Sequence, residues 1–545
     1  MHTTDEPPRN NRAGIGRRRR GSRHRVRVAL VGALGGIVAA GTALALGYLV
    51  ANLTGGPWPV DAVGVQVIDW SPGPVKDWAV RTLGTADRPL LRVGICTTLL
   101  VIAAVAGALA TRGHRRTAIT IAGTLGLIGV TFALVSRSAA TTTYNRLLPA
   151  TITFVAAVAA MAVVTRGVSA PTRRSGSPAE PGPASTPDDS AQPAGFDRRR
   201  FLVTVSALAV AGGGAVGASR VVGGSGDELR TRVRVPRVQD GAGPVRAGLD
   251  LPGISPFMTQ NEKFYRVDTL LQVPRIDPRQ WELRVHGLVG NELRLSFDEL
   301  LRRRLIERDI TLTCVSNEVG GPYVGNARWI GVPIADILRE AGVQEGADAV
   351  KSTSVDGLTI GTPLSALTDG RDAIFALAMN GEPLPFEHGF PVRMVVPGLY
   401  GYVSATKWIV DFEVTRFRNF SAYWTDRGWS VEAPVKTSSR IDVPRGFANL
   451  RAGPTIAAGV AWAQHRGISK VEVRIDDGPW QSATLAPADT TDTWRQWTYR
   501  WNATPGTHKL TVRATDGNGE LQADREAPPR PNGSSGLHNT VVMVS

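Results

Sequence analysis

Cys314 sits where two kinds of sequence meet. The run Thr311-Leu312-Thr313-Cys314 reads as β-like. It leads into Val315-Ser316-Asn317-Glu318-Val319-Gly320-Gly321, a polar, glycine-rich loop. Glycine has no side chain, so such a loop lets a ligand approach the backbone. A lone cysteine is more often a small buried hydrophobe, and that alternative stands beside the reactive one. Further segments follow in order. Gly325-Asn326-Ala327-Arg328-Trp329-Ile330-Gly331-Val332-Pro333 precedes a helix. Met379-Asn380-Gly381-Glu382-Pro383-Leu384-Pro385 leads to His388-Gly389-Phe390-Pro391-Val392-Arg393, and Pro397-Gly398 leads to Ser404-Ala405-Thr406-Lys407-Trp408.

Together these segments resemble the molybdopterin-binding domain of the sulfite oxidase family. The stretch Asn261-Glu262-Lys263-Phe264-Tyr265-Arg266-Val267-Asp268, followed by Pro274-Arg275-Ile276-Asp277-Pro278 and Trp281, resembles that family's opening segment. Ala433-Pro434-Val435, Ser439-Arg440-Ile441-Asp442 and Trp494-Arg495-Gln496-Trp497 resemble its C-terminal dimerisation domain. The resemblance implies a molybdenum ion held by a pterin and by the Cys314 thiolate, a soft anionic ligand suited to a metal that changes oxidation state. The pterin's phosphate needs hydrogen-bond donors if it is buried. By the same resemblance, Phe264, Tyr265, Arg266, Val267, Asp268, Asp356, His388, Arg393, Ser404, Ala405, Thr406 and Lys407 bind the cofactor, and Cys314 with Arg266 serves catalysis. Any one of these alone reads as readily as a surface ion pair or a solvated lysine.

The chain also departs from the pattern. Where the family carries an arginine after its cysteine, Val315–Val319 holds Glu318 and no arginine. Leu377 replaces a tyrosine, and Arg266-Val267-Asp268 replaces an arginine–asparagine–histidine triplet. Sulfite itself is therefore not carried over with the fold.

These motifs need a scaffold. Residues 245–425 read as an α+β domain that mixes short strands with helices expected at Phe297–Ile306 and Pro333–Ala341. Ser296 is an expected N-cap before the acidic pair Asp298-Glu299. Residues 430–545 read as alternating strands, as in Lys470–Ile475 before Asp477-Gly478 and Lys509–Ala514 before Asp516-Gly517. That pattern suggests an immunoglobulin-like β-sandwich.

Ahead of them the composition changes. Residues 1–222 hold 25 Lys+Arg against 10 Asp+Glu, whereas residues 223–545 hold 37 of each. A neutral C-terminal part argues against nucleic acid as partner. The arginines instead bound four apolar runs of membrane-spanning length, Val28–Val50, Val93–Ala110, Thr117–Val135 and Leu147–Val164. A basic cytoplasmic tail is expected at 1–27, four transmembrane helices over 28–166, and a balanced outer loop at Ala51–Leu90. A disordered cytoplasmic linker follows at 167–200. It ends in Asp197-Arg198-Arg199-Arg200-Phe201-Leu202, which resembles an internal twin-arginine export signal. The apolar run 201–222 is then a fifth helix, and everything after Gly223 lies outside the cytoplasm. Cys96 and Cys314 make an unpromising disulfide. None of the eight histidines falls inside an apolar run, which disfavours haem, and charges within those runs are missing, which weakens a transporter reading.

The expectation is a membrane-anchored oxidoreductase performing two-electron oxygen-atom transfer on a small molecule, sulfite or a related sulfur compound. Its partners would be an external electron carrier (a cytochrome or quinone), membrane lipid and a second copy of the chain. The rivals are a sulfoxide-type reductase on the same fold and a cofactor-less membrane-tethered sensor or adhesion protein.

Overall fold

The computed structural model describes residues 12–72, 86–136, 142–168, 198–238, 240–245 and 248–545, with short pieces between 75 and 83. The expected linker, from 169 to 197, lies outside the described residues, as do residues 1–11 of the basic tail. The chain divides into two compact units, one within residues 1–225 and one over residues 226–545.

Among the described residues, six helices run through the first half of the chain: α1 (Arg12–Thr54), α2 (Pro59–Trp70), α3 (Asp87–Thr111), α4 (Arg115–Val135), α5 (Thr143–Val168) and α6 (Arg198–Arg232). Among the described residues, five stretches are long and apolar enough to cross a membrane: Val26–Thr54, Asp87–Thr111, Arg115–Val135, Thr143–Arg166 and Phe201–Val221. They coincide with the five apolar runs of the sequence. Small residues set the closest packing. A Cβ added to Gly107 on α3 would collide with the Gly32 carbonyl of α1, so the two backbones touch directly. The expected loop at 51–90 contains α2 and the start of α3. Pro59 begins α2, where its missing N–H leaves nothing unsatisfied. Asp61 on α2 is buried and bonds Arg92 through both oxygens (2.7 and 3.0 Å), so α3 starts six residues before its apolar run.

The second unit begins with β1 (Glu282–Gly287), β2 (Leu293–Ser296), α7 (Phe297–Arg302), β3 (Ile306–Thr313), β4 (Val324–Pro333) and α8 (Ile334–Ala341). There follow β5 (Ala349–Ser354), β6 (Thr359–Pro363), α9 (Ser365–Thr368), β7 (Ile374–Met379), β8 (Glu382–Pro383), β9 (Arg393–Val395), α10 (Gly401–Ser404) and β10 (Ile409–Thr415). One sheet runs β2-β1-β10-β5-β6, with β1 and β10 parallel and the other neighbours antiparallel. The other runs β3-β4-β7-β8, with β9 added on β7. α8 buries Ile334, Ile337, Leu338 and Ala341, an i, i+3, i+4, i+7 stripe, against the larger core. It ends at Gly342, whose φ of 67° gives the left-handed turn that stops it. Ser296 caps α7 in a full capping box with Glu299. That helix stops at Arg302 rather than Ile306, because Ile306 is buried and pairs with Gly331 in β3.

The C-terminal strands are β11 (Ser438–Val443), β12 (Asn449–Leu450), β13 (Gly453–Trp462), β14 (Ile468–Ile475), β15 (Gln481–Ser482), β16 (Thr484–Leu485), β17 (Arg495–Ala503), β18 (Gly506–Asp516) and β19 (Asn539–Val544). Sheets β11-β13-β17-β16 and β12-β19-β18-β14-β15 share one apolar core. Val471, Val473, Leu510 and Val542 enter it from one side, Ala457, Ala461 and Trp497 from the other. This layer also seals the free edge of β3. The Thr311 N–H donates to Asp492 O (3.0 Å), and Gln464 Nε2 donates to Thr311 O (3.1 Å) and Thr313 Oγ1 (2.8 Å).

Candidate functional site

Cys314 follows the last residue of β3, so the rigidity of that strand fixes its position. Its N–H donates to Tyr323 O (3.0 Å), its carbonyl accepts from the Asn317 N–H (3.1 Å), and only 7 % of the residue is exposed. Burial pushes its thiol up, while hydrogen bonds from the backbone and hydroxyl of Ser316 pull the other way. Such a thiol is a poor free nucleophile. A metal ion would displace its proton, and Ser316 already faces the charge that results.

Cys314 shares a cavity with most of the expected cofactor residues. Phe264, Tyr265, Val267 and Asp268 line it from the loop before β1, and Asp356 lines it from the β5–β6 turn. His388, Arg393, Ala405, Thr406 and Lys407 complete the expected set. Arg266 and Ser404 are not in the lining. Arg266 turns to Asp268 (Nε–Oδ2 2.8 Å), and the Ser404 hydroxyl donates to the carbonyls of Leu399 and Tyr400.

The cations meet because β9 and the segment after α10 are bridged, Arg393 to Lys407, with the Met394 N–H donating to Thr406 O (2.9 Å). Gly389 makes the approach possible. At φ 112° a Cβ there would lie 2.9 Å from Arg393 Cβ and 3.2 Å from Lys407 Cβ. His388 Nε2 lies 2.9 Å from Asn261 O, an atom that can only accept, so Nε2 carries the proton. Burial, helped by the nearby Arg393 and Lys407, lowers the His388 pKa to about 4. The ring is neutral at ordinary pH, and Nδ1 is left as an acceptor. Lys407 Nζ donates to Asp268 Oδ2 (2.7 Å) and Glu387 O (3.0 Å). Burial brings its pKa down to about 8 against the pull of Asp268.

Arg393 is the unbalanced member. It is 5 % exposed and lies over Trp329 at 5.1 Å. Among the described residues it donates to the carbonyls of Met394 (3.3 Å) and His388 (3.2 Å), and burial lowers its pKa to about 10. Among the described residues no carboxylate pairs with it. A buried cation without an anion is costly. Ser354, also in the lining, keeps a buried hydroxyl with no partner among the described residues. An anionic group with hydrogen-bonding edges would satisfy both, and a phosphate-bearing pterin next to a thiolate-bound metal is such a group.

Sequence reasoning missed Ser354, Thr269, Tyr402, Trp424 and Trp429, which line the same cavity. The aromatic density of residues 423–429 was the one visible signal. Trp408, beside Lys407, holds a φ of 51°, and its indole N–H donates to Phe386 O (2.9 Å). That is backbone strain of the kind that collects at binding sites.

A buried thiol and an uncompensated guanidinium in one cavity fit a thiolate-bound metal beside an anionic pterin. The family model for the oxidoreductase molybdopterin binding domain matches residues 270–424. Human mitochondrial sulfite oxidase is 29 % identical over 323 residues, covering 50 % of this chain and 58 % of that one. The Gallus gallus sulfite oxidase is 30 % identical, with 69 % of its length covered. An uncharacterised oxidoreductase of Bacillus subtilis, YuiH, is 36 % identical over 155 residues and covered over 75 % of its length. Among solved structures, the sulfane dehydrogenase SoxCD of Paracoccus pantotrophus gives a TM-score of 0.46 at 21 % identity, covering 54 % of this chain and 84 % of that one. The chain belongs to the sulfite oxidase family of molybdopterin-binding oxidoreductases. It spans little more than half the length of the mammalian relatives.

Proposed function

We propose that this protein is a membrane-anchored oxidoreductase that transfers an oxygen atom, with two electrons, at a molybdenum–pterin site outside the cytoplasm. Cys314 in one cavity with an uncompensated Arg393 carries the reading. When bound, the group supplies the two-electron couple that the reaction X + H2O → XO + 2 H⁺ + 2 e⁻ requires. The chain's own residues bind and orient. Cys314 offers its sulfur, which Ser316 steadies by hydrogen bonds. Arg393 and Lys407 offer charge to a phosphate, and neutral His388 offers an acceptor at Nδ1.

The flanking parts take supporting roles in this proposal. The five apolar helices anchor the chain in lipid, and the twin-arginine-like Arg198-Arg199-Arg200 exports a domain already loaded with cofactor. The C-terminal sandwich is of immunoglobulin-like type and pairs two copies. An external cytochrome or quinone takes up or supplies the electrons.

Metal and pterin analysis of the purified full-length protein tests the core claim. About one molybdenum per chain is expected, with loss of the metal in Cys314→Ser. Molybdenum-dependent turnover that survives Cys314→Ser would overturn the assignment.

A further inference from the structure

β3 fixes the backbone of Cys314 from one side only. On the other side the chain enters the loop 315–321. Two internal bonds shape that loop: Asn317 Oδ1 accepts from the Tyr323 N–H (2.8 Å), and the Gly321 N–H donates to Glu318 O (2.8 Å). They set its form but not its place. Packing leaves it room to shift, because Asn317, Glu318, Val319 and Gly320 share the lining of a 480 Å3 cavity with residues of the C-terminal strands.

What places the loop comes from those strands. Arg440 on β11 uses its whole fork: Nη1 donates to Gly321 O (2.7 Å), Nη2 to Ser255 Oγ (2.8 Å) and Nε to Asp442 Oδ1 (2.7 Å). A guanidinium is rigid, so three acceptors fix Gly321 relative to β11. Ser534 Oγ donates to Asn317 O (2.6 Å). Lys436 Nζ holds the neighbours of Ser534 through Gly533 O (2.6 Å) and Ser535 Oγ (3.1 Å). Gly320 has a φ of 75°, and an added Cβ would collide with the His538 ring, 2.9 Å from its Cγ. That ring is itself held, since Nδ1 accepts from the Ile441 N–H (3.0 Å).

We infer that Arg440, Ser534 and His538 are positioning residues for the metal ligand: through loop 315–321 they set the direction from which Cys314 offers its sulfur. Groups behind a ligand orient it and tune the metal it holds. The C-terminal layer is on this account part of the frame of the site, a role separate from pairing two copies. The inference rests on the molybdenum–pterin reading for what Cys314 binds, whereas the clamp on the loop exists without the cofactor.

The chain has two cysteines, so full-length protein in a Cys96→Ser background, made in cells that lack the pterin, carries Cys314 as its one thiol. Labelling of that buried thiol by a maleimide reports opening of the loop. Arg440→Gln should speed labelling about 10- to 100-fold and Ser534→Ala about 3- to 10-fold, the difference between losing a charged and a neutral hydrogen bond. Gly320→Ala, which drives a Cβ into the imidazole, should speed it about tenfold, and His538→Ala added to it should slow it again by about threefold or more. Val512→Ala weakens the same sheets away from the loop and should stay within about threefold of the parent. In protein loaded with molybdenum, Arg440→Gln should shift the electron paramagnetic resonance signal of the partly reduced metal. Parent-like labelling in both Arg440→Gln and Gly320→Ala, or equal acceleration in Val512→Ala, overturns the clamp. An unaltered resonance signal in loaded Arg440→Gln overturns its bearing on the metal. Absence of molybdenum and pterin from the parent would instead overturn the cofactor reading, with the labelling comparison still standing.

Discussion

In the proposed function Lys407 and Arg393 do the same kind of work, offering charge to a phosphate, at different cost. The pKa of Lys407 is lowered to about 8, so in the empty site its charge is complete below pH 7 and fades as pH rises through 8. A phosphate stabilises the charged form, so below about pH 7 Lys407 adds no pH dependence to pterin affinity. Above pH 8 it falls by up to about tenfold per unit. Retention of cofactor by reconstituted apoprotein at pH 7 and 9.5 measures this, and Lys407→Arg, which does not titrate, should flatten the profile. Among the described residues Arg393 has no carboxylate partner to lose, only two long carbonyl contacts. Arg393→Met should leave the apoprotein as stable as the parent or more stable by about 1 kcal/mol, since a buried unpaired charge disappears, while pterin content falls sharply. A melting temperature several degrees lower in the apo form would refute that account. The sequence exposed these residues because motif and charge coincide in them. Ser354 and Trp429 stayed hidden because a serine or tryptophan shows its role only once the fold gives it neighbours.

Elements announce themselves in sequence when local chemistry agrees with tertiary packing. The Ser296 cap and the α8 stripe were legible for that reason. The end of α7 was not, because the pairing of Ile306 with Gly331 overrides a run that local propensity would continue as helix. α2 was missed because the ion pair that secures it joins residues 61 and 92, which no local pattern links. The element most relevant to catalysis is β3, whose outer edge is closed by Gln464. Gln464→Leu strips donors from Thr311 O and Thr313 Oγ1, at an expected cost of about 1–3 kcal/mol for the groups left unpaired. Denaturant unfolding measures that cost. Because Cys314 follows directly, molybdenum content should fall with it, whereas a variant destabilised equally in the C-terminal core, such as Val512→Ala, should keep its metal when folded.

At the scale of the whole molecule, charge and parity decide which side of the membrane each half would occupy. The excess of arginine lies entirely in residues 1–222, at the ends of apolar stretches, and basic ends are retained on the cytoplasmic side. If the five apolar helices all cross, as proposed, their number is odd, so a basic tail held inside would place residues 226–545 outside. A cofactor that must enter a folded domain before export also requires a route that carries folded cargo, which gives Arg198-Arg199 a purpose beyond orienting a helix. Changing Arg198 and Arg199 both to Lys preserves charge and so leaves the positive-inside preference of the fifth span intact. If the pair is read only as charge, protease added to intact spheroplasts will still digest the C-terminal half. On the export reading, that half becomes protected and accumulates inside with its molybdenum bound, while the four preceding spans insert as before. Unchanged protease access in the double-lysine protein would therefore remove the export signal from the proposal and leave the fifth helix as an ordinary membrane span.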